Sequence, residues 1–216
     1  MLLAEELLLL GLDPVQGTVV NNARQELLAG LAGALAGELA LAGLVDLSGK
    51  RLIAVGRSPG DPLLAAAHQA LAQSTGRRAA AQLRGLDKGL GGIWSRLVDG
   101  LADRGVLDRR RDHVLLVPVT RHPVLAPAVR EEVLERVRAA AAGEGEIEPR
   151  TAVVLALAGP SRLLEVVAPD KASRPHARRR IETATELTPV APVVKKVIAE
   201  MHAAAAALAA GAGSGS

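Results

Sequence analysis

The chain has 216 residues, and its 26 Lys and Arg against 23 Asp and Glu give it a formal net charge of +3. It contains no cysteine, which excludes disulfide frameworks, thiolate zinc sites, iron–sulfur clusters and cysteine nucleophiles. It contains no Phe, no Tyr and one Trp, which argues against aromatic platforms that stack single-stranded nucleic acid. Ala and Leu make up about a third of the chain, and both favour helices. The sequence therefore predicts a single helical domain over residues 1–210, followed by a flexible Gly/Ser tail over 211–216.

The start of the chain predicts two strongly apolar helices. The first, over residues 2–12, carries two glutamates in its first turns, where the helix dipole favours anions. This acidic start argues against a secretory signal, which needs a positive segment before its apolar stretch. Asn21 or Asn22 is expected to cap the second helix, which continues to about Leu44.

The second helix contains a run that is almost long enough to cross a bilayer. Residues 27–45 carry one charge, Glu38, and place Gly33 and Gly37 at GxxxG spacing. A spanning helix needs about 20 predominantly apolar residues. Much of this run is Ala and Gly, which bring little transfer free energy, and a central carboxylate costs about 3 kcal/mol on insertion scales. We therefore interpret the run as a buried helix whose small residues let neighbouring helices approach closely.

The middle of the chain predicts one strand and several helices. The apolar run Arg51–Val55 predicts a strand or an extended connector. Asp61 followed by Pro62 predicts a helix start, because Asp is a good N-cap and the first helical position needs no backbone N–H donor, which proline lacks. This helix is expected to end near Gln73. Another helix is expected from residue 75 or 76, then a loop-like glycine-rich stretch over 85–92, and then a helix over Trp94–Arg104.

The stretch 107–124 predicts a β-hairpin. A charged turn over 108–112 precedes the short β-branched run His113–Val119, and Pro118 confines its strand to an edge because it cannot donate to a sheet. Beyond the hairpin, helices are predicted over Pro127–Ala142, Arg150–Leu157, Ser161–Val167 and Ala177–Glu186, and a last helix begins at Pro192.

The sequence contains no constellation that supports catalysis. Its five histidines, at 68, 113, 122, 176 and 202, include no pair at the i, i+4 spacing of a helical metal site. Neither a nucleophile elbow nor a common nucleotide-binding glycine motif is present. We therefore expect a protein that is not an enzyme and that uses no metal or cofactor.

Two basic clusters are candidate contacts for an anionic partner. One is Arg109–Arg111 on the predicted hairpin, and the other is Arg174 with Arg178–Arg180. Lipid head groups, nucleic acid or an acidic protein tail could each use such charges, although a solvated surface is the plainer interpretation of either cluster alone. No nucleic-acid motif accompanies them, so nucleic acid is the least expected partner.

Several short motifs follow one another along nearly the whole chain. They are Ala4–Leu12, Gly30–Leu41 with Gly43, Ser58-Pro59-Gly60-Asp61 with Leu63-Leu64, Arg96–Leu107, His122-Pro123-Val124 and Arg150–Ala158. In this order and spacing they resemble the Golgi phosphoprotein 3 family and its bacterial members. The turn at 58–61 lacks one residue of the family's pattern.

The resemblance implies a fold, a location and a type of partner. The implied fold is mainly α, with a central helical bundle wrapped by amphipathic helices and one projecting β-hairpin. The family's eukaryotic members are peripheral membrane proteins that bind phosphatidylinositol 4-phosphate and act as adaptors for cytosolic tails of Golgi glycosyltransferases. We therefore expect a cytoplasmic protein, peripheral on the cytosolic membrane face, with an anionic lipid and a protein as partners.

The residues of the family's lipid pocket are not retained here. The resemblance places its tryptophan and one arginine at Ala23 (or Asn22) and Ala32, and its other two arginines at Gly91 and Trp94. Ala and Gly offer no side-chain donors for the charge-assisted hydrogen bonds that a phosphate accepts. Other residues would have to supply them in this chain.

Neighbouring residues are candidates to rebuild a site for a lipid or a phosphate. They are Arg24, Arg84, Lys88, Trp94 and Arg96. The ring of Trp94 suits a lipid interface, although burial as the core's only aromatic residue is the favoured interpretation.

The hairpin is the candidate for a different function. If the chain has no affinity for lipid, it is expected to be a soluble protein-interaction or oligomerisation module, and the resemblance associates the hairpin with self-association. An edge strand would then pair with another chain and give a homo-oligomer. The candidate residues are Arg110, Arg111, Val114, Leu115, Leu116 and Val117.

Overall fold

Two almost fully apolar helices form the centre of the fold. A computed structural model describes residues 1–114, 117–188 and 191–192, with only the backbone pairing described for 112–119. Helix α1 (Leu3–Gly11) packs against α2 (Arg24–Leu41), and every residue of α1 is buried. The prediction of a buried helix in the run 27–45 is confirmed as far as Leu41, where α2 ends, and its predicted end near Leu44 is wrong. None of the described helices is long and apolar enough to cross a membrane.

Other helices surround this central pair. In chain order they are α3 (Pro62–Gln73), α4 (Ala79–Gly89), α5 (Ile93–Asp103), α6 (Pro127–Ala142), α7 (Pro149–Ala158), α8 (Leu164–Val167) and α9 (Arg174–Glu186). Helices α5, α6 and α7 pack on α1, while α3, α4, α5 and α7 pack on α2. The mainly α fold class, with helices wrapped around a central bundle, is therefore confirmed.

Two antiparallel hairpins complete the described fold. Strand β1 (Val45–Ser48) pairs with β2 (Arg51–Ala54), and β3 (Arg110–Val114) pairs with β4 (Val117–Arg121). The second hairpin lies where the sequence predicts one, but its strands differ from the prediction. Residues 110–112, predicted as part of a charged turn, belong to β3, and the predicted strand His113–Val119 includes the end of β3 and the start of β4. The first adds a partner for the predicted strand at residue 51, through a turn in which Gly49 has a φ of +59°, a conformation that suits glycine.

The start of α3 shows how a local signal fixes a helix boundary. Asp61 Oδ1 accepts hydrogen bonds from the backbone N–H groups of Leu63 and Leu64, both at 2.9 Å. Pro62 occupies the first helical position. The predicted bounds of this helix, from Pro62 to Gln73, are confirmed because the cap and the proline act within one turn.

The start of α2 differs from the prediction. Asn21 and Asn22 both adopt positive φ, of 56° and 50°, and α2 begins after Ala23 without a side-chain cap. The capping prediction is therefore wrong. Asn21 instead donates from Nδ2 to the carbonyl oxygen of Arg162 at 2.9 Å, a tertiary contact that local sequence does not announce.

The structure also differs in part from the prediction of a glycine-rich loop over residues 85–92. Helix α4 begins at Ala79 rather than at residue 75 or 76, and it continues through Gly85 to Gly89, so those two glycines are not loop residues. Gly91 and Gly92 do form a turn, with φ of +69° and +103°. Of the helix predicted over residues 161–167, only α8 is helical.

Buried carboxylates tie the two central helices to the helices that cover them. Glu6 of α1 is 5% exposed and pairs with Arg136 of α6 at 2.5 Å and with Arg150 of α7 at 3.4 Å. Glu38 of α2 pairs with the same Arg150. A buried charge needs such partners, so these pairs account for Glu6 and Glu38 within two mainly apolar helices.

Three predictions fall on residues that the structure does not describe. The last helix, expected to run on from Pro192, lies almost wholly outside the described residues, as does the tail over 211–216. Leu115 and Leu116, which separate β3 from β4 along the chain, also lie outside them.

Candidate functional site

A cavity lies between the start of α2, the helix α5 and the β3–β4 hairpin. Its volume is about 350 Å³. The described residues that line it are Arg24, Trp94, Ser95, Val98, Asp99, Arg109, Arg111, Thr120 and His122. Three arginines against one aspartate give the lining an excess of positive charge, which suits an anionic ligand.

A stacked pair of side chains dominates this cavity. The guanidinium of Arg24 lies over the Trp94 ring, with 4.2 Å between Cζ and the ring centroid. Such stacking is attractive and fixes the plane of the guanidinium. Trp94 is 9% exposed and belongs to the core, so its predicted burial is confirmed. Arg24 forms no hydrogen bond or ion pair with another described residue, so its N–H donors are available to a ligand.

A second arginine, Arg109, anchors the hairpin to α5. Its Nη2 lies 2.9 Å from Asp99 Oδ1 and 3.0 Å from Asp103 Oδ1, and it donates to the Asp99 carbonyl at 3.1 Å. The two carboxylates neutralise Arg109. Arg111 has no ion pair within the described part of the chain, so Arg24 and Arg111 are the cations that an anion can recruit.

A buried histidine, His122, forms another wall of the cavity. Its ring lies 6.1 Å from the Trp94 ring, between centroids, and is tilted by 54°. Burial has the largest effect on the pKa of His122 and lowers it. The guanidinium groups of Arg24 and Arg109 lower this pKa further, whereas a hydrogen bond with the Asp108 carbonyl raises it. The ring is therefore neutral at pH 7 and adds no positive charge to the cavity.

The structure brings together only part of the predicted lipid site. Arg24 and Trp94 meet in the cavity. Arg96 follows Trp94 by two positions, which is about 200° round a helix, and it is exposed without lining the cavity. Arg84 and Lys88 are exposed on α4 and line no described part of it. Lipid binding by these last three residues stays a prediction.

Sequence reasoning missed part of the cavity and assigned another part elsewhere. It did not propose Thr120 or His122. It proposed Arg109 and Arg111 as part of a basic cluster for an anionic partner, and it also assigned Arg111 to oligomerisation. The hairpin register places Thr120 directly opposite Arg111, which the spacing of the two residues along the chain does not reveal. The sequence did offer one signal for His122, because this residue begins the motif His122-Pro123-Val124, one of the motifs that resemble the family.

The C-terminal basic cluster is partly used inside the fold. Arg174 pairs with Glu165 at 2.9 Å and also donates to two backbone carbonyls. Arg180 donates to the carbonyls of Ala140 and Gly145, at 3.0 and 2.7 Å. Both arginines thus satisfy backbone acceptors, which leaves a smaller basic surface than the sequence predicts.

A comparison with known families establishes the relationship of this chain. The family model described as Golgi phosphoprotein 3 matches residues 3–201. The chain belongs to the Golgi phosphoprotein 3 family. A comparison with curated proteins gave no match. The resemblance drawn from the short motifs is confirmed, and it covers nearly the whole chain.

Within the Golgi phosphoprotein 3 family, the resemblance places the lipid pocket beside this cavity. By that resemblance the family's tryptophan falls at Ala23 or Asn22, close to Arg24 in the chain, and one of its arginines falls at Trp94. In this chain Arg24 of α2 stacks on Trp94 of α5.

Proposed function

We propose that this chain is a peripheral membrane protein whose cavity at Arg24 and Trp94 binds the phosphate of an anionic lipid head group, with phosphatidylinositol 4-phosphate as the first candidate. The stacked pair carries the proposal, because it holds a cation in a cavity that already has an excess of positive charge. Membership of the Golgi phosphoprotein 3 family supports the choice of lipid. A protein bound at the same membrane face would make the chain an adaptor.

The groups in the cavity have complementary roles toward such a head group. Arg24, held flat against Trp94, and Arg111 supply charge-assisted hydrogen bonds to phosphate oxygens. The hydroxyl of Thr120 can donate or accept, and the carboxylate of Asp99 can accept from head-group hydroxyls. These contacts describe recognition without a covalent step, so the proposed function is binding.

Vesicle co-sedimentation tests this proposal. Neutral vesicles are compared with phosphatidylserine vesicles and with phosphatidylinositol 4-phosphate vesicles of equal charge, at low and physiological salt. We expect Arg24→Gln with Arg111→Gln to weaken binding to the phosphoinositide vesicles by about tenfold or more, because two charge-assisted contacts are lost. The matched control is Arg57→Gln with Arg179→Gln, which removes two charges from exposed positions that line no described part of the cavity.

The two double variants separate recognition from simple attraction. Binding that survives physiological salt and needs Arg24 and Arg111 supports a head group in the cavity. Equal weakening in both double variants means that net charge alone drives the association, which salt would then screen, and it contradicts the proposal. A chain that binds no vesicle is not a lipid-binding protein.

A second candidate function belongs to the β3–β4 hairpin. Within the described residues this sheet has only two strands, so neither strand has a second neighbour in the sheet. Unpaired backbone groups on such an edge can pair with a strand of another copy. In this alternative the chain is a soluble oligomerisation module that acts through the hairpin and has no affinity for lipid.

The mass of the chain in solution tests the alternative. We expect Leu115→Lys with Leu116→Lys to convert an oligomer into a monomer, because two added charges between β3 and β4 in the chain oppose strand pairing between copies. The control is Val15→Lys, at a side chain that is 81% exposed in another loop, and it should leave the mass unchanged. Size-exclusion chromatography with light scattering gives the masses. A wild-type chain that is monomeric at every concentration rules out the hairpin function.

A further inference from the structure

A second concave site lies away from the Arg24–Trp94 pair. It is a groove of about 580 Å³ between the β1–β2 turn and the first turns of α4. Its basic residues are Lys50, Arg77, Arg78 and Arg84, and its apolar lining includes Leu47 and residues 79–81. We call it the α4 groove. It shares no described lining residue with the first cavity.

The turn and the helix that form the α4 groove are held together by specific bonds. The backbone N–H of Ala79, the first residue of α4, donates to the carbonyl of Lys50 at 2.7 Å. Gln82 is 2% exposed, and its amide both donates to and accepts from the backbone of Leu52, at 2.8 Å each. Because a buried side chain fixes α4 to β2, the groove exists before any ligand arrives.

The charge of the α4 groove is not compensated by its own lining. No acidic residue is among the described residues that line it. Arg77 and Arg78 are exposed and form no ion pair within the described ranges, and the first turn of α4 carries no acid. This contrasts with Arg109 in the first cavity, which two carboxylates neutralise. Exposed guanidinium groups in a concave site are suited to recruit an anion from outside the chain.

We propose that the α4 groove binds a small phosphate monoester that carries an apolar group. Arg77, Arg78 and Lys50 would hold the phosphate, because guanidinium groups match its geometry with paired hydrogen bonds. Leu47 and the alanines at 79–81 would cover the apolar group. The volume lies in the range of small-molecule sites.

The lining also argues against other anions. Nucleotide bases and single-stranded nucleic acid are usually held by aromatic rings, and none of the described lining residues is aromatic. A concave site that mixes cations with aliphatic side chains fits a compact amphiphile better than it fits a bare ion, which would leave the apolar lining in water.

Amide NMR of the whole chain with three probes tests the proposal. The probes are hexyl phosphate, inorganic phosphate and hexanol. We expect hexyl phosphate to shift the amide signals of Lys50 and of residues 79–81, and to bind about tenfold more tightly than inorganic phosphate because its alkyl chain is buried. Hexanol should bind more weakly than hexyl phosphate.

Three variants show where the probe binds. Arg77→Gln with Arg78→Gln should weaken binding of hexyl phosphate by about tenfold or more, whereas Arg57→Gln with Arg179→Gln, which removes the same charge elsewhere, should not. Arg24→Gln should leave the shifts at Lys50 and residues 79–81 unchanged, so occupation of the α4 groove is measured separately from any binding in the first cavity. The two arginines are exposed without described partners, so the unfolding midpoint should stay near that of the wild type.

Each contrary result overturns the proposal. Equal affinity for inorganic phosphate and hexyl phosphate means that the apolar lining takes no part. Equal weakening by both double variants means attraction by net charge alone. If Arg24→Gln abolishes the shifts that hexyl phosphate causes at Lys50 and residues 79–81, the probe occupies the first cavity. If the wild type shows no shift at these residues, the α4 groove binds no phosphate monoester.

Discussion

Arg150→Met is expected to lower the free energy of unfolding by about 3 kcal/mol, because it breaks a largely buried ion pair on one side only. Arg150 of α7 reaches both central helices, since it pairs with Glu6 of α1 and with Glu38 of α2. The side chains of these two glutamates are only 7% and 13% exposed. Without Arg150, Glu38 keeps its hydrogen bond from the Leu3 N–H but loses its counter-charge.

Urea unfolding measures this effect. The control is Arg179→Met, which removes an exposed arginine without a described ion pair and should change the free energy of unfolding by less than about 0.5 kcal/mol. Adding Glu38→Gln to Arg150→Met should cost less than the sum of the two single changes, because the orphaned charge is then gone. A loss below about 1 kcal/mol for Arg150→Met, or strict additivity in the double variant, would show that the pair is not coupled.

The origin of that ion pair shows why the core could be predicted only in part. The apolar runs of α1 and α2 predict burial correctly, because leucine and alanine over several turns leave few other outcomes. The same runs contain Glu6 and Glu38, and their partners Arg136 and Arg150 lie more than a hundred residues later. Their pairing depends on how α6 and α7 cross α1 and α2, which no local pattern encodes.

Some helix boundaries could likewise be predicted from local sequence, and others could not. Asp61 and Pro62 set the start of α3 within one turn of chain, so sequence alone was sufficient. Asn21 offers an equally good local cap but is used in a contact with Arg162, 141 positions away. Local chemistry predicts a boundary until a distant partner competes for the same side chain.

The candidate site follows this rule as well. Arg24 and Trp94 could each be proposed because they stand next to positions that the resemblance marks. That the Arg24 guanidinium lies over the Trp94 ring depends on the packing of α2 against α5. Arg111 and Thr120 enter the cavity through the register of the hairpin, so their contribution could not be read from the chain.

The loop between α1 and α2 contacts the end of the β3–β4 hairpin and so supports the wall of the cavity that His122 forms. Gly17 lies between α1 and α2 with a φ of +66°, and its carbonyl accepts a hydrogen bond from the His122 N–H at 2.9 Å. A Cβ atom at this position would lie 2.3 Å from backbone atoms of His122 and Pro123. Backbone cannot move aside as a flexible side chain can, so the loop and the exit of the hairpin must separate.

Gly17→Ala is therefore expected to lower the free energy of unfolding by about 3 kcal/mol, from left-handed strain together with overpacking. It should also weaken binding to phosphoinositide vesicles, because His122 belongs to the wall of the cavity. The matched control is Gly43→Ala, where φ is +68° and nothing lies within 4 Å of the added Cβ, so only the strain of about 1 kcal/mol remains.

Urea unfolding of both variants separates the backbone strain from the overpacking, and vesicle co-sedimentation measures the effect on lipid binding. Equal destabilisation by the two substitutions would mean that the loop does not press on the hairpin. A destabilised Gly17→Ala chain that still binds vesicles like the wild type would mean that the head group does not depend on this wall of the cavity.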